Sequence, residues 1–131
     1  MREIKFRAWI EPKGADFRAM ANVSSIDFET RKIVVTFNNP YFAQTKFEFG
    51  DGDYTLMQST ELKDKNGKEI YEGDIVDYMS MIFEIINHRQ AYGWNEDNEF
   101  IPFANMAPCQ LPKIEVIGNI YENPELLEVS L

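Results

Sequence analysis

Leu62-Lys63-Asp64-Lys65-Asn66-Gly67-Lys68-Glu69-Ile70-Tyr71-Glu72-Gly73-Asp74-Ile75-Val76 reads as two tight turns around a short apolar step that feeds a new strand. Asn66-Gly67 is the strongest short hairpin signal, because both residue types tolerate positive φ. Glu72-Gly73-Asp74 makes the second turn, and the β-branched run that starts at Ile75 opens the strand. Ile70 and Tyr71 between the turns read as the buried step. A Gly-Asp pair before a β-branched run is also how strands of small SH3-like barrels begin, an analogy of pattern only.

Working outward, the same period of two recurs. Ile4, Phe6 and Ala8 alternate with Lys5, Arg7 and Trp9, which predicts a strand buried on one face. Pro12–Asp16 is a turn, and Phe17–Ala21 a short second strand. Ile26-Asp27-Phe28 and Ile33–Phe37 flank a polar turn, and Asn38-Asn39-Pro40 stops the second of them. Thr45–Phe49 and Tyr54–Met57 read as two strands joined by Gly50-Asp51-Gly52-Asp53. Met81–Ile86 is the expected partner of the strand from Ile75, and Asn87–Glu99 reads as a polar loop. Phe100–Phe103 carries Pro102, which limits it to an edge strand or extended loop. Pro108–Pro112 is irregular. Ile114–Tyr121 alternates again, with a bulge expected at Gly118. Asn123-Pro124-Glu125 has the residues of a helix start, with room for a turn or two. The expected fold is therefore mainly β. It has antiparallel hairpins, a small SH3-like barrel in the C-terminal part and a short C-terminal helix. The chain reads as one domain over 1–131, with the option of two sub-domains, 1–50 and 51–131, meeting near Gly50–Ser59.

Composition supports a self-sufficient core. A chain of 131 residues buries roughly two thirds of its unfolded surface, so it needs no disulfide or metal to fold. Its 10 Phe, 6 Tyr and 2 Trp favour strands. A single cysteine, Cys109, excludes an intramolecular disulfide and points to a reducing compartment. The first residues have no apolar run, and no stretch approaches membrane-spanning length. A cytoplasmic protein is expected, without membrane contact. The net charge of −9 is uneven. Residues 1–49 hold 8 Lys/Arg against 6 Asp/Glu, and residues 50–131 hold 5 against 16. The acidic part repels phosphate, which argues against nucleic-acid binding through it. It is either a solubilising surface or a face that docks a basic partner or a second copy.

No catalytic, cofactor or metal constellation emerges. His88 and Cys109 are single and no motif ties them together, so neither a nucleophile–base pair nor a structural zinc has support. Asp51 and Asp53 lack the further ligands of a calcium loop. Glu69, Glu72, Asp74 and Asp77 read as solvated acids on turns and an outer strand face rather than a glycosidase pair. Glycine-rich phosphate loops are absent. Tyr71, Tyr78, Tyr92, Trp94 and Tyr121 could stack bases, but no basic groove accompanies them.

The block Leu62–Val76 resembles the signature of the YopX family of phage and prophage proteins. The opening Arg2-Glu3-Ile4-Lys5-Phe6-Arg7-Ala8-Trp9 and the close Ile117-Gly118-Asn119-Ile120-Tyr121-Glu122-Asn123-Pro124-Glu125-Leu126-Leu127 are similar to that family as well. Leu62, Asp64, Asn66, Gly67, Ile70, Tyr71, Glu72, Gly73, Asp74, Val76, Gly118, Asn119 and Tyr121 carry the likeness, and their expected role is structural. Two positions depart. The family usually has an acid where Ile10 stands, and Tyr-Thr-Gly where Ser59-Thr60-Glu61 stands. Glu61 in place of glycine implies that this turn need not have positive φ here. The resemblance implies a β-rich phage protein with no attached activity, and so no enzyme and no cofactor. A non-enzymatic accessory protein is expected, acting on a host or phage protein or assembling with itself. The alternative is a nucleic-acid-associated small barrel in phage replication or regulation.

Overall fold

The computed structural model describes residues 5–39, 41, 45–105 and 113–128. Ile4, Cys109 and the stretch Pro108–Pro112 lie outside the described residues. The strands are β1 (Phe6–Ile10), β2 (Ala19–Asp27), β3 (Lys32–Thr36), β4 (Phe47–Phe49), β5 (Tyr54–Lys63), β6 (Glu69–Tyr71), β7 (Asp74–Tyr78), β8 (Met81–Glu84), β9 (Ile86–His88), β10 (Ala91–Glu96), β11 (Glu99–Pro102) and β12 (Ile114–Asn119). Every ladder between them is antiparallel. The fold is mainly β, and the chain divides into two compact units, Met1–Gln58 and Ser59–Leu131.

In the first unit the order is β4-β3-β2-β1, followed by the first half of β5. Ala8 pairs with Ala21 on one side and Leu56 on the other, and Val35 with Val23 and Phe47. Directly paired residues share a face, so these positions form one apolar surface. Ala8, Ile10, Ala21, Ile33 and Val35 are its buried centre. Each fully buried Ile or Val there contributes about 1.5–3 kcal/mol. The segments 17–21 and 26–28, read as separate strands, belong mostly to the single nine-residue β2. A bulge between Val23 and Ser25 interrupts its register and hides the continuity from a simple alternation. Phe28 falls in the following turn, where Asp27 Oδ1 accepts the Glu29 and Thr30 amides at 3.0 and 3.2 Å.

The Gly50–Asp53 turn does not join a hairpin. β4 and β5 lie at opposite edges of the five-stranded array, yet the Asp53 amide donates to the Gly50 carbonyl at 3.2 Å. A flat sheet of five strands would hold its edges about 19 Å apart, and a closed turn with one residue on each side spans at most about 15 Å. The sheet must therefore roll. The Tyr54 hydroxyl, at the start of β5, reaches the Arg31 carbonyl beside β3 at 2.8 Å.

The second unit holds two three-stranded sheets, β12-β7-β8 and β11-β10-β9. They share one core of Ile70, Val76, Phe83, Ile85, Trp94, Phe103 and Ile114. The Trp94 ring stacks on Phe83 at 4.6 Å and meets Phe103 edge-on at 5.8 Å. No closed SH3-like barrel forms among the described residues, because the strands pair in two separate sets of three instead of one continuous ring. The expected loop Asn87–Glu99 is largely strand, since β9, β10 and β11 form a meander there. Its turns, Arg89-Gln90 and Asp97-Asn98, have φ of +52°, +68°, +52° and +66°. The β7–β8 turn is built alike, with Met79 at +52° and Ser80 at +69°. These are two-residue hairpins of the primed kind, made without glycine.

Asn66-Gly67 behaves differently. The Gly67 amide donates to the Asp64 carbonyl at 3.0 Å, and only Gly67 has positive φ, at +81°. The turn is a type I turn closed by a glycine in the left-handed region, a three-residue hairpin loop. In β5 the register against β6 slips between Ser59 and Lys63. Within the slip Glu61 has φ +66°, so the exchange of glycine for glutamate does not relax the backbone. The bulge expected at Gly118 is present, as the β7–β12 register shifts between Val116 and Gly118. At the C-terminal end, where a short helix of a turn or two was expected, Pro124–Leu127 forms a single 3₁₀ turn. Asn123 gives it no side-chain cap, because its Oδ1 accepts the Asn119 amide at 3.2 Å. Among the described residues no helix is long and apolar enough to cross a membrane.

Candidate functional site

The residues singled out in Leu62–Val76 and at Gly118–Tyr121 meet in the second unit, where side chains hold backbone. Asp64 is 6% exposed and accepts three amides. Its Oδ1 takes Asn66 N–H and Lys68 N–H, each at 2.9 Å, and its Oδ2 takes Val116 N–H at 2.9 Å. The Lys65 amide donates to the Ile114 carbonyl at 2.9 Å, so the turn is tied to β12 by main chain as well. Burial pushes the Asp64 carboxyl up, but the three amides and the Lys68 charge together pull it below the usual aspartate range. Around the turn Asn66 Nδ2 donates to Glu115 at 3.4 Å, and Lys65 Nζ lies 3.4 Å from the same carboxylate.

Asp74 does similar work at the second turn. It is 1% exposed, and its Oδ2 accepts the Tyr71 amide at 2.8 Å. Gly73 donates to the Ile85 carbonyl and accepts from the Ile120 amide, at 2.8 and 2.9 Å. Asn119, the ladder partner of Asp74, accepts the Tyr121 and Glu122 amides on its Oδ1 at 3.0 and 2.8 Å. Ile70 and Val76 enter the core, and Leu62 packs against it. Burial first, and then the Glu72 charge, push the Tyr92 phenol above its usual range.

The other acids go to separate tasks. Glu69 accepts the Tyr71 hydroxyl at 2.9 Å, and Asp77 accepts the Ser80 amide at 3.0 Å. Asp51 pairs with Arg31 at 3.3 Å, while Asp53 accepts the Lys13 amide at 3.0 Å. Among the described residues no three His, Cys, Asp or Glu side chains come together as metal ligands would. His88 is exposed at the end of β9, with its ring 5.0 Å from Phe100. Of the aromatics considered for base stacking, Trp94 is core and Tyr78 packs on it at 5.6 Å.

Sequence reading did not anticipate an aromatic groove in the first unit. Phe17, Ala19, Met20, Phe37, Phe47 and Phe49 line an open space of ≈ 400 Å³. Phe37 is its centre, 5.5 Å from Phe17, 5.4 Å from Phe47 and 6.4 Å from Phe49. The pairings Val35 with Phe47 and Ile33 with Phe49 bring these rings together. Both parent segments read correctly as strands, but their mutual register has no local signal.

No curated protein matches this chain. Among solved structures it is similar to protein EF1440 from Enterococcus faecalis, at 29% identity and a TM-score of 0.62, over 97% of this chain and 99% of that one. The sequence matches the YopX protein family over residues 5–128, the region that holds both the turn organised by Asp64 and its anchor on β12, and the chain belongs to that family.

Proposed function

We propose that this chain is a non-enzymatic phage or prophage accessory protein that acts through contacts with another protein chain. The observation that carries this reading is the use of the signature itself. Asp64, Asp74 and Asn119 turn their oxygens toward backbone amides of turns and strands, the work of a scaffold. A general acid or base needs an oxygen aimed at a substrate. The surface suited to recognition is apolar instead. Phe17 is 44% exposed at the rim of the phenylalanine groove, and an open groove walled by aromatic rings suits an apolar side chain of a partner. Its occupant is an apolar segment of a partner chain, from the host, the phage or a second copy.

The test compares the whole chain with its Phe17→Ser variant by sedimentation at increasing concentration and by cross-linking in host cells. A complex present in the parent and lost in the variant is the expected result, with both proteins equally folded by circular dichroism. A strictly monomeric parent that cross-links to nothing the variant does not would overturn the proposal.

A further inference from the structure

We infer that the phenylalanine groove of one copy receives the Phe28 turn of a second copy of this chain. The inference rests on the reading of that groove as a contact site and names its occupant. Phe28 sits between β2 and β3 and is 79% exposed. The turn that carries it is braced. Asp27 Oδ1 accepts the Glu29 and Thr30 amides at 3.0 and 3.2 Å, and Arg31 follows in the left-handed region with φ +58°. The Arg31 carbonyl in turn accepts the Tyr54 hydroxyl at 2.8 Å. A side chain presented on a preorganised turn has less freedom to lose on binding. Phe6, Val23 and Ile26 border the same open surface as Phe28, so the knob is broader than one ring.

The groove suits this knob. Its walls are the rings of Phe17, Phe37, Phe47 and Phe49 around ≈ 400 Å³. Aromatic rings attract a further ring edge-on or offset, beyond what apolar burial alone supplies. Four phenylalanines therefore select an aromatic side chain over an aliphatic one. Phe28 cannot serve the groove of its own chain. Ala19 and Met20, at the start of β2, line the groove, whereas Phe28 follows the end of that strand. At about 3.3 Å per residue, the nine residues of β2 keep the two about 25–30 Å apart. The other exposed apolar side chains among the described residues fit less well. Tyr41 stands beside the groove itself, with its amide on the lining residue Asn39 at 2.8 Å, and Met79 and Met81 are not aromatic.

Charge favours the same pairing. Asp27 and Glu29 flank Phe28, and both are exposed. Arg18 and Lys46 adjoin the groove residues Phe17 and Phe47 along the chain, and both are exposed as well. Arg18 lies 3.6 Å from the exposed Glu11, a pair that water weakens and that a second copy can displace. Acid then meets base where the turn enters the groove. Each copy gives one turn and takes one, an exchange completed reciprocally in a two-fold dimer or head to tail in a ring.

Sedimentation of the full chain is followed up to millimolar concentration for the parent, Phe28→Ser, Phe17→Ser and an equimolar mixture of the two variants. Circular dichroism checks that each is folded. The parent should self-associate, and its association constant should fall at least ten-fold in either variant. The mixture should form dimers that neither variant forms alone, because the intact Phe28 of one meets the intact groove of the other. Phe28→Ser changes an exposed turn position and reads the contact by itself should Phe17→Ser fail to fold. A monomeric parent, a Phe28→Ser variant that assembles like the parent, or a mixture of folded variants that stays monomeric would overturn the inference. A Phe17-dependent complex that survives in Phe28→Ser removes this occupant and leaves the contact protein standing.

Discussion

Replacing Asp64 should cost more stability than any other change at the turn around it, and the cost should depend on pH. The carboxylate accepts Asn66, Lys68 and Val116 amides, each at 2.9 Å. Hydrogen bonds to a charged group contribute about 1.5–3 kcal/mol each, less where water can take over. Asn66 and Lys68 are exposed, so water replaces much of those two. The Val116 amide is partly buried in the β7–β12 ladder and has less access to water. Asp64→Ala should lose about 3–5 kcal/mol. Asp64→Asn keeps one oxygen for the turn amides but sets an NH₂ group against the Val116 N–H, for a loss of about 2–3 kcal/mol. The pH dependence follows from the lowered carboxyl. Its folded-state value lies below the ordinary 3.8, so the stabilisation is fully present above that value. It fades as pH falls through the lower, folded-state value. Urea unfolding should be followed by Trp94 fluorescence in a Trp9→Phe background, so that the signal comes from the second unit. The gap between parent and Asp64→Asn should be wide at pH 7 and narrow below pH 4. A gap under about 0.5 kcal/mol at pH 7, the size of an ordinary surface change, or one that stays constant down to pH 2.5, would refute the reasoning.

Three further outcomes follow from backbone geometry. Glu61→Gly should raise stability by about 0.5–1 kcal/mol, since a non-glycine residue loses about 1–2 kcal/mol in the left-handed region and glycine returns part of that through the unfolded chain; a lower melting temperature would show that Glu61 is not strained. The double change Met79→Asn with Ser80→Gly places the preferred residues in a primed turn and should add about 1 kcal/mol, read as a higher urea midpoint with an unchanged slope. Gly93→Ala should be worse than Gly118→Ala, because a Cβ at 93 would run into the Ile101 carbonyl and lie 2.8 Å from Pro102 Cα, both main chain, whereas at 118 it meets the Asn123 side chain, from Oδ1 at 2.6 Å to Cβ at 2.9 Å, which can give way only by shifting and loosening the Oδ1 bond to Asn119. Equal losses in the two alanine variants would contradict the close β10–β11 approach.

Much of the fold was legible because strand formation on a half-buried face is a local pattern. Phe6 to Ile10, Ile33 to Thr36 and Ile114 to Asn119 announce themselves by alternation and branching. Gly118 announced a bulge, and Pro102 the edge strand it ends. In Leu62–Val76 the two turns were legible, but nothing local said that Asp64 reaches an amide 52 residues away. What escaped sequence reading was decided by contacts between distant segments. Arg89-Gln90 and Met79-Ser80 carry no turn signature of their own. Their conformations are imposed by the strands on either side, whose inward residues Val76, Phe83 and Trp94 share one core. A left-handed residue costs only about 1–2 kcal/mol, and burying a single large apolar side chain recovers as much. The same balance holds Glu61 at positive φ and rolls the first sheet until the edges β4 and β5 come within reach of a four-residue turn. Neighbours along the chain set where strands such as β1, β3 and β12 form and which face of each is apolar, though not β9 and β10 of the meander, which read as a loop. Only the tertiary structure decided their order, their register and the grooves they enclose, because those depend on which apolar faces meet.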